Sequence, residues 1–341
     1  MRPTVHDIAA AAGVSLATVD RVLNQRAGVR SVTRQRVEAV INDIGYVRDM
    51  AAANLAKGRL YPLVFILPAS DNSFMHSLHA EARQAISRAG SERCSIRIIE
   101  VKAFDPAALV AALDSLAGAD IAGVALVAVD APEVRDAVER LVQAKIPVVT
   151  LVSDLTGSAR HHYAGIDNIA AGRTAARLLG RFLGGRKGEV LVLAGSLLVR
   201  DHRERLEGFS AMIEQEFSAL TLLPVLEGLD DPETVNGLVT KALADNPDVI
   251  GIYSIGAGNR GLIRALRARA AGKDLTVVAH ELTDYTRKAL QDGLIDVVLN
   301  QDAGHEVRSA VRVLKAKADG LAVIAAQERI RLDIFLKDNL P

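Results

Sequence analysis

Eight short, predominantly aliphatic runs recur between residues 62 and 302, and they constrain the fold more than any other feature. They are "PLVFILP" (62–68), "SIRIIEV" (95–101), "IAGVALVAV" (121–129), "IPVVTLV" (146–152), "EVLVLAG" (189–195), "DVIGIYSI" (248–255), "LTVVAHE" (275–281) and "DVVLNQD" (296–302). A strand wetted on one side alternates apolar and polar residues. A run apolar throughout is buried on both faces, as in a parallel sheet covered by helices. Helical spacing of apolar residues fills the intervals, for example at 75–89, 168–184, 204–217 and 258–270. The expectation for residues 61–341 is a doubly wound α/β architecture, long enough for two similar lobes.

The first sixty residues follow another plan. Thr4 followed by Asp7 reads as an N-terminal cap, and Val5, Ile8, Ala9 and Ala12 share one helical face. Gly13 stops that helix. Ser15 caps a second helix, Leu16 to Asn24, with Val19, Val22 and Leu23 inward. Thr33 caps a third that ends at Gly45, with Val37, Val40, Ile41 and Ile44 inward. Helix, glycine turn, helix and a packing helix is the helix-turn-helix plan, whose second helix lies in the DNA major groove. The charge agrees. Residues 1–60 hold nine Lys/Arg against five Asp/Glu, leaving 32 against 36 in the rest of a chain whose net charge is zero.

The stretch "TVHDIAAAAGVSLATVDRVLN…GVRSVTRQRVEAVINDIGY" resembles the headpiece of the lactose-repressor/galactose-repressor family of transcriptional regulators over nearly its whole length. The resemblance implies base-reading positions at Leu16, Ala17 and Arg21, and backbone-contacting ones at Thr4, Ser15, Thr18 and Asn24. Asp20 departs from it, standing where the family usually has Ser; pairing with an Arg and setting operator preference are both open. "RDMAAANLAKGR" (48–59) reads as a helical linker. The resemblance makes it a hinge helix ordered on operator DNA, with Leu55 as a minor-groove wedge. The expected domains are a headpiece at 1–47, a hinge at 48–60 and an effector-binding, dimerising body at 61–341.

For the body the resemblance implies a two-lobed fold like a type I periplasmic sugar-binding protein. It rests on "NSF" (72–74), "PVVTLVSD" (147–154) leading to "GIDNIAAGRTAARLL" (165–179), "RERLEGF" (203–209) and "LNQD" (299–302). Carried over by position, Asn72, Asp154, Arg205 and Gln301 would bond ligand hydroxyls, and Phe74 would face a sugar ring, with Arg203 as a second candidate for the arginine. "SIGAGNRG" puts Gly256 where the family usually has an effector-holding Asp, so Asn259 is expected to reach in from one turn later. Glu281 stands where related binding proteins often carry Asp. The implied partners are operator DNA, a sugar-like effector and a second copy of the chain, with no membrane, cofactor or metal; His76 and His79 read as solvated. The closing "RLDIFLKDNLP" carries no heptad helix, so a tetramer is not expected.

A different class competes. "GAGNRG" (256–261) is a G-x-G-x-x-G that follows an apolar strand and opens a helix, and Glu281 lies twenty residues beyond Gly261. That is the dinucleotide fingerprint of an NAD-dependent oxidoreductase. No Lys–Tyr or His–Asp pair stands out for hydride transfer, so regulation rather than catalysis is expected. Cys94, the only cysteine, reads as a small filler at the start of a strand. With no disulfide possible and no signal peptide in "MRPTVHDIAA", the expected location is the cytoplasm.

Overall fold

The structure is a computed structural model describing residues 3–46, 58–69, 72–256, 258–269 and 275–341. The chain divides into two compact units, Met1–Arg59 and Leu60–Pro341. Leu55 and most of the expected hinge lie outside the described residues.

In the first unit, α1 (Val5–Ala12) opens on a reciprocal cap. The Thr4 hydroxyl accepts the Asp7 N–H, and the Asp7 carboxylate accepts the Thr4 N–H at 2.7 Å. Those bonds hold the Asp7 carboxyl below its ordinary range. Gly13, at φ 61°, closes α1 in the left-handed conformation. Ser15 caps α2 (Leu16–Leu23) by accepting the Thr18 N–H. The third helix, α3 (Ser31–Asp43), begins two residues before the expected Thr33 cap, and its N-cap Arg30 makes no side-chain bond. Val32 in that turn is exposed, so its first N–H groups face water and need no hydroxyl cap. Ile8, Ala12, Val19, Val22 and Val37 form the small core, with Val40, Ile41 and Ile44 against it. Val5 is excluded: it sits in the first turn and stays exposed.

The second unit holds two sheets. The first is built from β1 (Tyr61–Ala69), β2 (Cys94–Lys102), β3 (Gly123–Leu126), β4 (Val148–Leu151) and β5 (His162–Ala164), all parallel, in the order 2-1-3-4-5. The helices α4 (Ser73–Glu92), α5 (Pro106–Asp114) and α6 (Pro132–Gln143) connect its strands. The chain then passes through α7 (Asn168–Leu183) into the second sheet. Its strands are β6 (Gly188–Ala194), β7 (Leu220–Leu222), β8 (Leu226–Glu227), β9 (Val249–Ser254), β10 (Thr276–His280), β11 (Val297–Gln301) and β12 (Leu332–Phe335). The path 7-6-9-10-11 repeats the order of the first sheet, and β12 closes the edge antiparallel to β11. Between these strands lie α8 (Arg200–Glu216), α9 (Pro232–Asp245), α10 (Asn259–Ala268) and α11 (Asp284–Gln291).

After β11 the chain crosses back. The helix α12 (Ala303–Ala318) buries Ala303, Val307, Ala310, Val311 and Leu314 in the core of the first sheet, beside Phe65 and Leu78. The returning segment then supplies β12. The first lobe thus contains chain from both halves of the sequence, and the chain passes between the lobes three times.

The helices α7 and α8 pack with their backbones touching. A Cβ on Gly172 would lie 2.0 Å from the Arg205 carbonyl oxygen, and one on Gly208 would lie 2.1 Å from that of Ile169. The contact fixes the position of α8, which carries Arg205, the largest fully buried side chain among the described residues.

Candidate functional site

In a sheet of order 2-1-3-4-5 the crevice opens where strand order reverses, at the C-terminal ends of the first and third strands. Here that rule applies twice, and the two crevices face each other. The loops after β1 and β3 supply Asn72, Val127 and Val129; those after β6 and β9 supply Val199 and Gly256. Together they line two adjoining cavities, which share Asn72 and Asp230.

Arg205 lies beneath this cleft and is only 1 % exposed. Its Nε donates to Asn168 Oδ1 at 2.8 Å, and its Nη1 donates to the Ile255 carbonyl at 2.8 Å. Glu281 Oε1 stands 3.5 Å from the same Nη1 and accepts from Gln301 Nε2 at 2.9 Å. Burial pushes the Glu281 carboxyl up to about 7 against the pull of Arg205 and the Gln301 amide. Burial, together with the nearby Glu281, also raises Glu306 on α12, and it is buried with neither carboxylate oxygen bonded. Asp201 lies one turn before Arg205 on the same face of α8. Arg205 Nη2, Glu281 Oε2, Gln301 Oε1, Asp201 Oδ1 and Asp230 Oδ1 are all buried without a hydrogen-bond partner. Native proteins pair nearly all such groups, so this concentration marks where a polar molecule belongs.

Backbone geometry marks the same place. Phe104, Val152, Asp230 and Glu281 all line the cavities with φ between 57° and 71°. Left-handed backbone disfavours side chains, most of all β-branched ones, and non-glycine examples gather at binding sites. The Val152 carbonyl is held by the Tyr163 hydroxyl at 2.8 Å, and Tyr163 in turn accepts from Asn168, the partner of Arg205.

The structure brings Asn72, Phe74, Arg205, Glu281 and Gln301 together at the cleft. Asn72 Oδ1 accepts the Phe74 N–H at 2.8 Å, and its amide reaches across to Asp230 Oδ2 at 2.9 Å. Two expected residues are placed otherwise, and a third reaches the cleft with its side chain already committed. The Asp154 carboxylate is committed to Arg160, to the hydroxyls of Thr150 and Thr156 and to the Leu155 N–H. Burial alone would raise its pKa, but these bonds hold it below the usual range, which is the chemistry of a loop clasp. Arg203 points to the rim, donating to the Leu197 carbonyl and to Asp130 of the first lobe. Asn259 lines the smaller cavity, but Ser254 donates to its oxygen, and its amide donates to the carbonyls of His280 and Gly256. Sequence reasoning missed Asp201, His202 and Asp230. Asp201 left a signal, standing four residues before Arg205; Asp230, in "LDD", left none. His79 is buried against the Pro68 carbonyl rather than solvated.

The lobes are closed on each other. Besides Asn72–Asp230 and Asp130–Arg203, the Arg200 N–H donates to Ser153 Oγ at 3.2 Å.

The glycines of "GAGNRG" are accounted for by packing. A Cβ on Gly256 would lie 2.3 Å from His202 Nε2, and one on Gly261 would lie 2.3 Å from the Pro232 carbonyl. They let α8 and α9 approach, which removes the need for a dinucleotide.

Glu281 yields a pH prediction. Its folded pKa, about 7, lies above the ordinary value of 4.5. The native state therefore holds a proton that the unfolded chain has lost, and the protonated carboxyl favours folding less as pH rises from about 4.5 to 7. Glu281→Gln mimics the neutral form. Its stability relative to wild type should improve by up to about 1.4 kcal/mol per pH unit across that window and level off above it. Denaturant melts at pH 5, 6, 7 and 8 measure this; parallel curves would place an ionised Glu281 in the ligand-free cleft at all four pH values.

In the first unit, Leu16, Ala17 and Arg21 form one exposed face of α2, over the buried Val19 and Val22. Asp20 pairs with an arginine: it meets Arg26 at 3.2 Å and accepts the Asn24 amide at 2.7 Å. Thr4, Ser15 and Thr18 are all engaged at helix starts.

The family of bacterial regulatory proteins of the lacI type matches residues 4–49, and the periplasmic binding protein domain family matches residues 63–322. The chain belongs to the lacI regulatory family. The HTH-type transcriptional regulator DegA of Bacillus subtilis is 24% identical over 216 residues, 63% of this chain and 62% of DegA, so the match spans less than two thirds of that relative. The lactose operon repressor of Escherichia coli is 25% identical over 291 residues, 83% of this chain and 77% of the repressor. Among solved structures, GanP, a glucose-galactose binding protein from Geobacillus stearothermophilus, superimposes with a TM-score of 0.74 at 21% identity, covering 83% of this chain and 99% of GanP. That likeness shows the fold. Membership in the lacI family leaves the oxidoreductase reading without support.

Proposed function

We propose that this lacI-family protein is a DNA-binding transcriptional regulator, a repressor, whose operator affinity is set by a sugar or sugar derivative held between the lobes. The observation that carries the ligand half is the set of buried, unbonded polar atoms on Asp201, Arg205, Asp230, Glu281 and Gln301. A sugar hydroxyl donates and accepts at once, so one ring of hydroxyls can bond both the carboxylate oxygens and the guanidinium. Phe74 supplies an apolar surface beside them. Names of relatives point the same way, a lactose operon repressor and a glucose-galactose binding protein.

The DNA half rests on the exposed face of α2. Two copies of the chain would present two such helices to the halves of a near-palindromic operator, so the working form is a homodimer in the cytoplasm. The expected boundaries, headpiece 1–47, hinge 48–60 and effector body 61–341, belong to the same proposal, as does Leu55 in the hinge. The closing bonds between the lobes give the ligand something to act on, because it shifts operator affinity only by binding open and closed forms unequally. Among the described residues no helix is long and apolar enough to cross a membrane.

The test is operator selection from random DNA, followed by anisotropy titration with and without a panel of free sugars. A defined palindromic site whose affinity changes with one sugar supports the proposal. Equal affinity for selected and random DNA would sink the regulatory half, and indifference to every sugar the ligand half.

A further inference from the structure

The buried polar atoms of the cleft that lack a partner divide unevenly between acceptors and donors. Asp201 Oδ1, Asp230 Oδ1, Glu281 Oε2 and Gln301 Oε1 accept; Arg205 Nη2 donates. The charges divide the same way. Asp201, Asp230 and Glu281 are all buried, and Arg205 is the one buried guanidinium among the described residues. Resting on the reading of this cleft as the site of a sugar or sugar derivative, we propose that the effector is an amino sugar, and that its protonated amino group sits against the carboxylates of Asp201 and Asp230.

A neutral sugar answers such a set poorly. Each hydroxyl donates one hydrogen and brings no charge, so the two acids would stay buried with negative charge in excess. A phosphorylated sugar brings charge of the wrong sign. An ammonium donates three hydrogens and carries the compensating charge. Among the described residues no lysine or arginine pairs with either acid. The Arg205 guanidinium is spent on Asn168, the Ile255 carbonyl and Glu281. Even a proton on Glu281 leaves Asp201 and Asp230 against that single positive charge. Lys102, at one of the cavities, is 81 % exposed and lies 3.8 Å from Asp105. The Arg260 guanidinium, at the other, lies over the Tyr285 ring, 5.6 Å from its centroid. His202 Nε2 stands 3.7 Å from Asp201 Oδ2, too far for a hydrogen bond, and its Nδ1 is bonded to Ser196.

The placement of Asp230 fits the same role. It lines both cavities, and the loop after β8 holds it there at a left-handed φ of 60°. Its Oδ2 accepts from Asn72 of the first lobe, which leaves Oδ1 over. Burial pushes the Asp230 carboxyl above its ordinary range against the pull of His202 and the Asn72 amide, and Asp201 adds to the rise. A cation at this point offsets that penalty. Asp201 lines one of the two cavities beside it. Glu281 Oε2, Gln301 Oε1 and Arg205 Nη2 are then left for the hydroxyls of the ring.

Calorimetric titration of the full chain tests this with D-glucose, D-galactose and D-mannose. Each is compared with its amino-deoxy derivatives bearing the amine at carbon two or carbon six, and with their N-acetyl forms. The expected result is one series in which an amino sugar binds about tenfold more tightly than its neutral parent, an advantage lost on N-acetylation, which removes the charge. Asp230→Asn keeps the side-chain shape, and asparagine tolerates left-handed backbone. It should cut the ratio of amine to parent affinity by about tenfold. Asp201→Asn, on a helix instead of a loop, is the second variant and should lower the same ratio. Melting curves establish that each variant is folded. A lowered ratio in either folded variant supports the inference. A neutral parent that binds as tightly as its amines, an N-acetyl form that binds as tightly as the free amine, or a ratio undiminished in both variants overturns it and leaves the sugar reading intact. Binding by none of these compounds overturns the sugar reading itself.

Discussion

Replacing Arg205 by leucine is expected to destabilise the two-lobed body by about 3–5 kcal/mol and to abolish its response to ligand. Leucine fits the volume next to α7 but supplies no donors. Asn168 Oδ1 and the Ile255 carbonyl lose the bonds that Arg205 makes to them. The buried carboxyls of Glu281, Glu306 and Asp201 lose the one guanidinium that faces them. An uncompensated buried charge costs more than the broken bonds, so Glu281 would answer by protonating, with its pKa rising further. That response makes the origin of the loss testable. Arg205→Leu combined with Glu281→Gln should recover part of the stability, because the neutral amide needs no counter-charge. Urea denaturation of the single and double variants measures both effects. A single variant as stable as wild type would show that Arg205 is not a keystone, and a double variant that loses the sum of the two single effects would show that Glu281 is not its electrostatic partner.

The uneven legibility of the chain has physical causes. The eight aliphatic runs are all strands: seven are largely buried and leave a nearly unbroken apolar signature, while β2, at the edge of its sheet, alternates buried and exposed residues. The strands that left no signature, β5, β7, β8 and β12, are two to four residues long. Each is interrupted by at least one polar residue, and β5, β7 and β12 lie at sheet edges, where one row of backbone groups is left unpaired by the sheet. That α12 packs on the first sheet was illegible for another reason: its stripe of Ala303, Val307, Ala310 and Leu314 states that a face is buried, not against what.

Within the site, "RERLEGF" left open which arginine turns inward. Two residues along a helix are about 200° apart, so one of Arg203 and Arg205 had to face the rim. The glycines decide which, since Gly208 touches α7 and lies one turn beyond Arg205 on the same face. Asp154 drew attention as an acid after a strand. The groups that hold it, Thr150 and Arg160, lie four and six residues away on either side, in a loop whose path the sequence does not reveal. Asn259 has the opposite lesson: it reaches the cavity as expected, but the carbonyls of His280 and Gly256 have already used its amide.

Arg21→Ala is expected to lower affinity for the selected operator by about tenfold to a hundredfold while leaving the headpiece folded. The residue is exposed, its guanidinium makes no hydrogen bond among the described residues, and it lies one turn beyond Ala17 on the outer face of α2. The buried Val19 and Val22 hold that face outward whether or not Arg21 is present. A bidentate guanidinium contact to a guanine edge is worth about 1–3 kcal/mol of discrimination, which sets the expected range. A phosphate contact would behave differently. It would weaken binding to operator and random DNA alike and would lower the salt slope by about one. Asp20 sharpens the distinction. Its carboxylate, one residue before Arg21, is turned to Asn24 and Arg26, which leaves the Arg21 guanidinium free to meet the DNA. Anisotropy titrations on operator and random duplexes, each at several salt concentrations, separate the cases. An unchanged ratio between the two duplexes would remove Arg21 from base reading, and with it the assignment of α2 as the helix that reads the major groove.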